Sequence, residues 1–359
     1  MDADIQVLNN GGPIADLLLS SNFDHRVLRP FVGEDGGNYV NNGKESVRPV
    51  NNATLRKDEW VYFDEVVGQV KRERLNFVSD LESMGLVRNL PNAMAHTSIE
   101  YQNISDISDA DVSMDGLSKA DSDRTVYDLK SMPVPIIHKD VYFSAREIAT
   151  SRNRGVPVDV STLEAATRKV AETIEKLHVG SYGTYKFAGG EIFGLRNFPQ
   201  RQTTTVTDWT GSGKTNVQRL SDILALRQLL FDARCYGPFG IYVGNNLERY
   251  LDEDYKAESD ITLRERILKV GQDKSDGSPG AIRFVKALDY LSAGDIVMVQ
   301  LNTDTIQTVK GMGINIIQWP EQGGMRYHFK VMGIQLPRCR ADYNNRSGIV
   351  HATQAVTSP

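Results

Sequence analysis

The chain has 359 residues, 40% hydrophobic and 24% charged, with a formal net charge of -5. That is an ordinary globular balance, long enough for two or three compact units, and it excludes a largely disordered chain. The acidic sign argues against a protein whose main task is gripping phosphate backbones, and no apolar run approaches the ~20 residues that span a bilayer.

The opening residues, with Asp2 and Asp4, show no basic region followed by an apolar one, so no secretory signal is expected. The sequons at Asn52 and Asn345 are then chance matches. Cys235 and Cys339 lie far apart, and reduced thiols are expected rather than a disulfide. Residues 1–56 are rich in Asn and Gly, with sparse apolar residues such as Leu17, Leu18, Leu19, Phe23, Leu28 and Phe31. Such an arm must lie on something else to bury its apolar groups.

A helix is expected next, over 57–85. Trp60, Phe63, Val67, Val70, Phe77, Val78 and Leu81 recur at spacings of three and four, with Thr54 or Asp58 as cap and Gly85 as stop. Between Asn103 and Asp128 seven aspartates interleave with serines, a stretch too polar to fold alone. It reads as a long excursion, a β-hairpin that needs a neighbour. A strand returns at Val134–Phe143. Ser161 followed by Glu164 is a capping-box signature, and Leu163, Ala166, Val170, Ile174 and Leu177 make one stripe up to Gly180. Beyond it the periodicity predicts helices at Val217–Arg234, Leu247–Leu251, Leu263–Val270 and Ile282–Leu291. Strands are expected at Phe239–Val243, Ile296–Leu301 and Tyr327–Leu336.

The motifs that suggest chemistry are incomplete. Gly211-Ser212-Gly213-Lys214-Thr215 ends like a phosphate-binding loop, but the first glycine position holds Asp208, whose carboxylate repels phosphate. Asp109-x-Asp111-x-Ser113 lacks the turn glycine and the bidentate acid of a calcium loop, with Met114 and Ala120 there instead. Gly311-Met312-Gly313 lacks the third glycine of a dinucleotide loop, because Ile316 stands in its place. The six histidines are scattered, with no HExxH and no CxxC. No catalytic residue, cofactor or metal is expected, and the chain does not read as an enzyme.

Local wording carries a resemblance. Leu55-x-x-Asp58-Glu59-Trp60-x-x-Phe63-Asp64-Glu65 resembles the first helix of encapsulins and of the similar class of phage major capsid proteins. Val134-Pro135-Ile136 to Phe143, then Ala145-Arg146-Glu147, resembles their strand and turn before a long spine helix. Arg154-Gly155-x-Pro157-Val158-Asp159, with the run Leu163–Glu172, resembles the entry and body of that helix. Gly194-Leu195-x-Asn197, Gly237-Pro238-Phe239-x-Ile241-Tyr242-Val243, Leu263–Ile267 and Arg346-Ser347-Gly348-Ile349 follow in the same order, so the likeness covers about 55–352.

The resemblance implies an α+β chain of the Hong-Kong-97-type capsid fold. Its parts would be an N-terminal arm at 1–56, a first peripheral-domain helix at 57–85 and an extended loop at 86–143. A peripheral domain at 144–214 with a spine helix at 160–180, an apical domain at 215–317, and terminal strands and tail at 318–359 complete it. It implies a structural protein whose copies form pentamers and hexamers and then an icosahedral shell. The shell would be a virion capsid, assembled in the host bacterial cytoplasm, touching packaged double-stranded DNA non-specifically on its inner face. Portal, scaffold and decoration proteins are further implied partners, and a membrane is not. The long arm and loop lean towards a phage over an encapsulin-type compartment with protein cargo. Some members of the fold join a loop lysine to a neighbour's asparagine. Lys119 or Lys130, with Asn344 or Asn345, are the candidates by position.

Overall fold

The computed structural model describes residues 30–32, 38–41, 47–49, 57–105, 123–154, 161–211, 213–256, 260–270 and 280–354, with single positions 107, 109, 110, 112 and 114. The arm's described strands, β1 (Pro30–Val32), β2 (Asn38–Asn41) and β3 (Val47–Pro49), form a small antiparallel sheet. Leu17, Leu18, Leu19, Phe23, Leu28, Thr54 and the Trp60 side chain lie outside the described residues.

The expected helix over 57–85 is two helices, α1 (Lys57–Arg74) and α2 (Asn76–Ser83). Leu75 breaks them with φ -95° and ψ 72°, and α2 ends before Gly85 at φ +72°. Then come β4 (Val87–Asn89), β5 (Ser98–Ile104), β6 (Tyr127–Pro133), β7 (Ile137–Ser144), α3 (Ala145–Arg154) and α4 (Ser161–Val179). Helix α4 is the expected spine helix. Its stripe of Leu163, Ala166, Val170, Ile174 and Leu177 is buried throughout. It stops because Gly180 turns to φ +89°, and a Cβ there would stand 2.8 Å from Asn197 Oδ1.

The rest of the chain runs β8 (Tyr185–Phe187), β9 (Gly190–Ile192), β10 (Gln202–Val206), α5 (Asn216–Asp232), β11 (Phe239–Gly244), α6 (Glu248–Leu251), α7 (Leu263–Leu268), β12 (Ile282–Leu288), β13 (Ile296–Gln300), β14 (Ile306–Glu321), β15 (Arg326–Cys339) and β16 (Ile349–Gln354). The helix expected at Ile282–Leu291 is strand β12, parallel to β11. Its buried residues Ile282, Val285 and Leu288 are spaced by three, which imitates a helical stripe. A register shift beside Gly240 puts Ile282 and Val285 on one face of the sheet, while Leu288 is buried on the other, so the spacing of three comes from a bulge and from burial of both faces.

Two sheets organise the molecule. One has order β4-β14-β15-β7 and the other β10-β16-β13-β11-β12. On the first, Phe329 and Val331 of β15 pack with Phe63 and Val67 of α1 and with the α4 stripe. Side chains of opposite parity, Ile334 and Leu336, pack instead with Ile99 and Met132 of the β5–β6 pair. On the second sheet, Ile241 and Val243 join Ile296 and Met298 beneath α5 and α7. Their strand neighbours Tyr242, Val297 and Val299 face the other way, onto Phe77 and Leu81 of α2. Helix α2 is therefore wedged between the two sheets. No described helix is long and apolar enough to cross a membrane.

Candidate functional site

The acidic excursion begins and ends as an antiparallel hairpin, with Ser98 opposite Pro133 and Ile104 opposite Tyr127. Its base is held by Ile99, Met132 and Val134, buried against Leu177, Val309, Ile334 and Leu336. Its far end is closed by Ser105, whose N–H donates to Val126 O at 2.9 Å while its Oγ accepts the Val126 N–H at 2.8 Å. There the burial stops: Val126, Tyr127 and Leu129 are 58%, 59% and 58% exposed. Tyr127 and Leu129, two residues apart in β6, are exposed apolar groups on one face of the hairpin.

Where the hairpin leaves the first sheet, arginines gather. Arg338 is buried, with its Cζ 5.1 Å from the centroid of the Tyr101 ring and Nη1 donating to Gln307 Oε1 at 3.0 Å. Burial, then the nearby charges of Arg340 and Arg88, pull its pKa down to about 10. Arg340 pairs loosely with Asp304, Nη1 to Oδ1 at 3.7 Å. Sequence reasoning passed over these three residues. The available signal was the spacing of two between Arg338 and Arg340 at the end of a strand, which sets both on one face.

A second polar joint holds α2. Glu175 of α4 is buried, and its Oε1 accepts the Phe77 N–H at 2.5 Å. Burial raises that carboxyl to about pKa 7, against the opposing pull of the Phe77 and Val78 amides. Three residues after Phe77, Asp80 accepts from Tyr242 Oη at 3.3 Å and from Lys286 Nζ at 2.5 Å. Helix α2 is thus tied to α4 at one end and to β11 and β12 at the other.

The Gly211–Thr215 segment is a helix entry, not a phosphate cradle. Thr215 caps α5, its Oγ1 accepting the Gln218 N–H while Gln218 Oε1 accepts the Thr215 N–H. Lys214 is pinned, its Nζ 2.7 Å from Asp222 Oδ2 and bonded to Thr207 Oγ1. At Gly311 a Cβ would stand 2.4 Å from the Ala93 Cβ, so that glycine serves a close packing contact. Cys339 is buried and Cys235 half-buried, both free thiols. Of the crosslink candidates, Lys130 lies in β6 opposite Tyr101, half-buried, and Asn344 and Asn345 stand exposed in the turn that follows Arg340. Lys119, like Asp111 and Ser113, lies outside the described residues.

The two sheets, the spine helix and the projecting hairpin together define the Hong-Kong-97-type capsid fold, the fold of tailed-phage capsid proteins and encapsulins. A virus-like particle protein from Pyrococcus furiosus superposes with TM-score 0.54 at 14% identity, covering 81% of this chain and 99% of that one. The capsid of Myoviridae phage XM1 does so with TM-score 0.55 at 13% identity, covering 72% and 86%. By sequence, the chain is 26% identical over 203 residues to the type 1 encapsulin shell protein EncA of Myxococcus xanthus strain DK1622. That stretch is 56% of this chain and 65% of the relative, so the chain spans just under two thirds of the relative's length. A family model described as a family of unknown function, DUF6260, matches residues 50–352, and the chain belongs to that family.

Proposed function

We propose that the chain is a major capsid protein of a tailed phage, building a virion shell. Its copies gather as pentamers and hexamers into an icosahedral shell around double-stranded DNA, contacted without sequence preference on the inner face. The observation that carries this reading is the β5–β6 hairpin, buried at its base and apolar at its exposed end, on a chain with the capsid fold. A neighbouring copy is what such a hairpin can lie on. Assembly would take place in a bacterial host's cytoplasm, with portal, scaffold and decoration proteins as further partners.

In this reading the first sheet with α1, α2 and α4 forms the peripheral unit, 86–143 the extended loop except for β4 and β7, which are strands of that first sheet, and the second sheet the core of the apical unit. That sheet draws β10 and β16 from outside 215–317, and β14 runs across the 317/318 boundary. Covalent locking of the shell would join Lys119 or Lys130 to Asn344 or Asn345 of a neighbour. Multimers surviving boiling in reducing detergent support it, and a single 40.0 kDa band from mature particles rejects it.

A second reading, an encapsulin-type compartment holding protein cargo, is favoured by the match to a bacterial encapsulin. Sedimentation velocity of the purified chain at low and moderate salt tests both. Megadalton particles with nucleic-acid absorbance fit the phage reading, and particles with a co-purifying protein fit the encapsulin. A strict monomer at every concentration, with and without a scaffold protein, removes the shell-building function.

A further inference from the structure

Arg338 is 7% exposed, yet its Nε has no hydrogen-bond partner and its one side-chain acceptor is the neutral amide oxygen of Gln307. A guanidinium this deep ordinarily has an anion beside it, because burying a lone charge is costly. Here the neighbours are two more cations. Arg88 lies opposite Val309, which lies opposite Leu336, so the strand registers place Arg88 and Arg338 on one face of the sheet. Arg340 follows two residues after Arg338, and the charges of Arg340 and Arg88 both oppose that of Arg338.

The carboxylates at hand do not balance this charge. Arg340 pairs loosely with Asp304, at 3.7 Å, and Asp304 is 80% exposed. Asp128 of the hairpin is exposed, and its charge is felt at Tyr101, not at Arg338. Three guanidinium groups against one carboxylate leave two positive charges. We infer that the corner formed by Arg88, Arg338 and Arg340 binds one doubly charged oxyanion of the phosphate class.

Each guanidinium is a planar fork whose paired N–H groups match the oxygen pairs of a phosphate. A lone carboxylate would leave one of the two charges unmatched. Arg88 and Arg338 stand two strands apart, roughly 12 Å between backbones, a span that two arginine side chains and one small ion fill. Tyr101 lies against Arg338, its ring centroid 5.1 Å from Cζ, and its hydroxyl makes no hydrogen bond among the described residues. That hydroxyl is a further donor for the ion, and through it the hairpin is tied to β4 and β15. A DNA duplex is the poorer occupant. Its phosphates carry one charge each, and a stiff rod cannot follow Arg338 beneath a tyrosine ring. Occupancy then sets how firmly the root of the hairpin is held on the first sheet. The inference concerns a single copy, so it does not rest on the shell-building reading.

The test is calorimetric titration of the full chain with inorganic phosphate, in chloride buffer at constant ionic strength. The expected result is one saturable site per chain, weakened about tenfold in Arg88→Gln and in Arg340→Gln. Arg326→Gln, at the other end of β15, leaves the affinity unchanged. Melting curves check that all three variants stay folded. Amide exchange in the parent gives a reading that needs no variant. Phosphate is expected to slow exchange in β4, in β5 and at the end of β15, and not in the second sheet. A titration with adenosine monophosphate identifies the source of the phosphate group. Tighter binding than inorganic phosphate assigns the corner to a nucleotide, and weaker binding assigns it to the free ion. Absence of saturable binding overturns the inference, and so does binding unchanged in both corner variants. So does an equal loss in Arg326→Gln, which would mean a general attraction between cations and phosphate. Slowed exchange spread evenly over both sheets overturns it too. So does a short DNA duplex that displaces phosphate from the same arginines with higher affinity.

Discussion

Glu175 and His178 stand one turn apart on α4, both buried, and their proton affinities are displaced in opposite directions, to about 7 and about 4. Burial causes both shifts, because it penalises the charged form of either group. The carboxyl of Glu175 is raised, so its protonated native form adds stability below about pH 4.5, and that contribution is lost as the pH rises towards 7. The imidazole of His178 is lowered, with Nδ1 2.8 Å from Ile174 O and Nε2 2.9 Å from Thr308 Oγ1. Its contribution is present above about pH 6.5 and is lost as the pH falls towards 4.

Between about pH 4.5 and 6.5 the two slopes oppose each other, so the pair leaves little net pH dependence. Glu175→Gln removes one slope, and stability is then expected to climb with pH across that window. His178→Gln removes the other, and stability is expected to fall. Each change amounts to on the order of 3 kcal/mol over the full window. Urea denaturation of both variants at half-unit pH steps reads this directly, and parallel curves for both variants and the parent would refute it.

The tie between α2 and the second sheet runs through Asp80, which is bonded to both Tyr242 and Lys286. Tyr242 is fully buried, so Asp80→Ala strands its hydroxyl, at a cost of about 1–3 kcal/mol. Lys286→Ala is expected to cost less than about 1 kcal/mol, because the ion pair is half exposed on the lysine side and Asp80 keeps the Tyr242 hydroxyl as a donor. Chemical denaturation of the two variants should rank them in that order. Equal losses would mean that the ion pair, and not the buried hydroxyl, makes the joint.

Helix α4 was legible because its five apolar residues keep helical spacing and every one is buried on a single side. Strand β14 escaped because Gly311 and Gly313 dilute its apolar residues and register shifts near Met312 interrupt alternation. The break at Leu75 escaped for another reason. The apolar spacing runs through it, while the Glu175 carboxylate that takes the Phe77 amide lies far away in sequence. The arginine corner is hidden in the same way, since Arg88, Tyr101 and Arg338 meet only once the sheet is built. Local spacing reports faces of elements, and long-range polar pairing leaves no such trace.

At the entry to α5 the residues that imitate a phosphate loop work as a clasp. Thr215→Ala removes the cap and should cost about 1 kcal/mol. Lys214→Ala leaves the part-buried Asp222 with Trp209 Nε1 as its other partner, a bond of 2.9 Å, and should also lower Tm. Calorimetric titration with ATP is expected to give no saturable heat for either variant or the parent. Saturable binding abolished in Lys214→Ala would return the segment to nucleotide chemistry.

The exposed end of the hairpin separates folding from assembly. Val126, Tyr127 and Leu129 are more than half exposed in the single chain, so charging them touches little that holds the subunit together. Tyr127→Asp and Leu129→Asp are each expected to change subunit stability by no more than about 0.5 kcal/mol. In a contact between copies, the same aspartate would be buried without a partner, at a cost of several kcal/mol repeated at every copy. Sedimentation should therefore show folded subunits or single rings in place of megadalton particles. Normal particles from both variants would mean that this end of the hairpin faces solvent in the shell, and that the copies meet elsewhere.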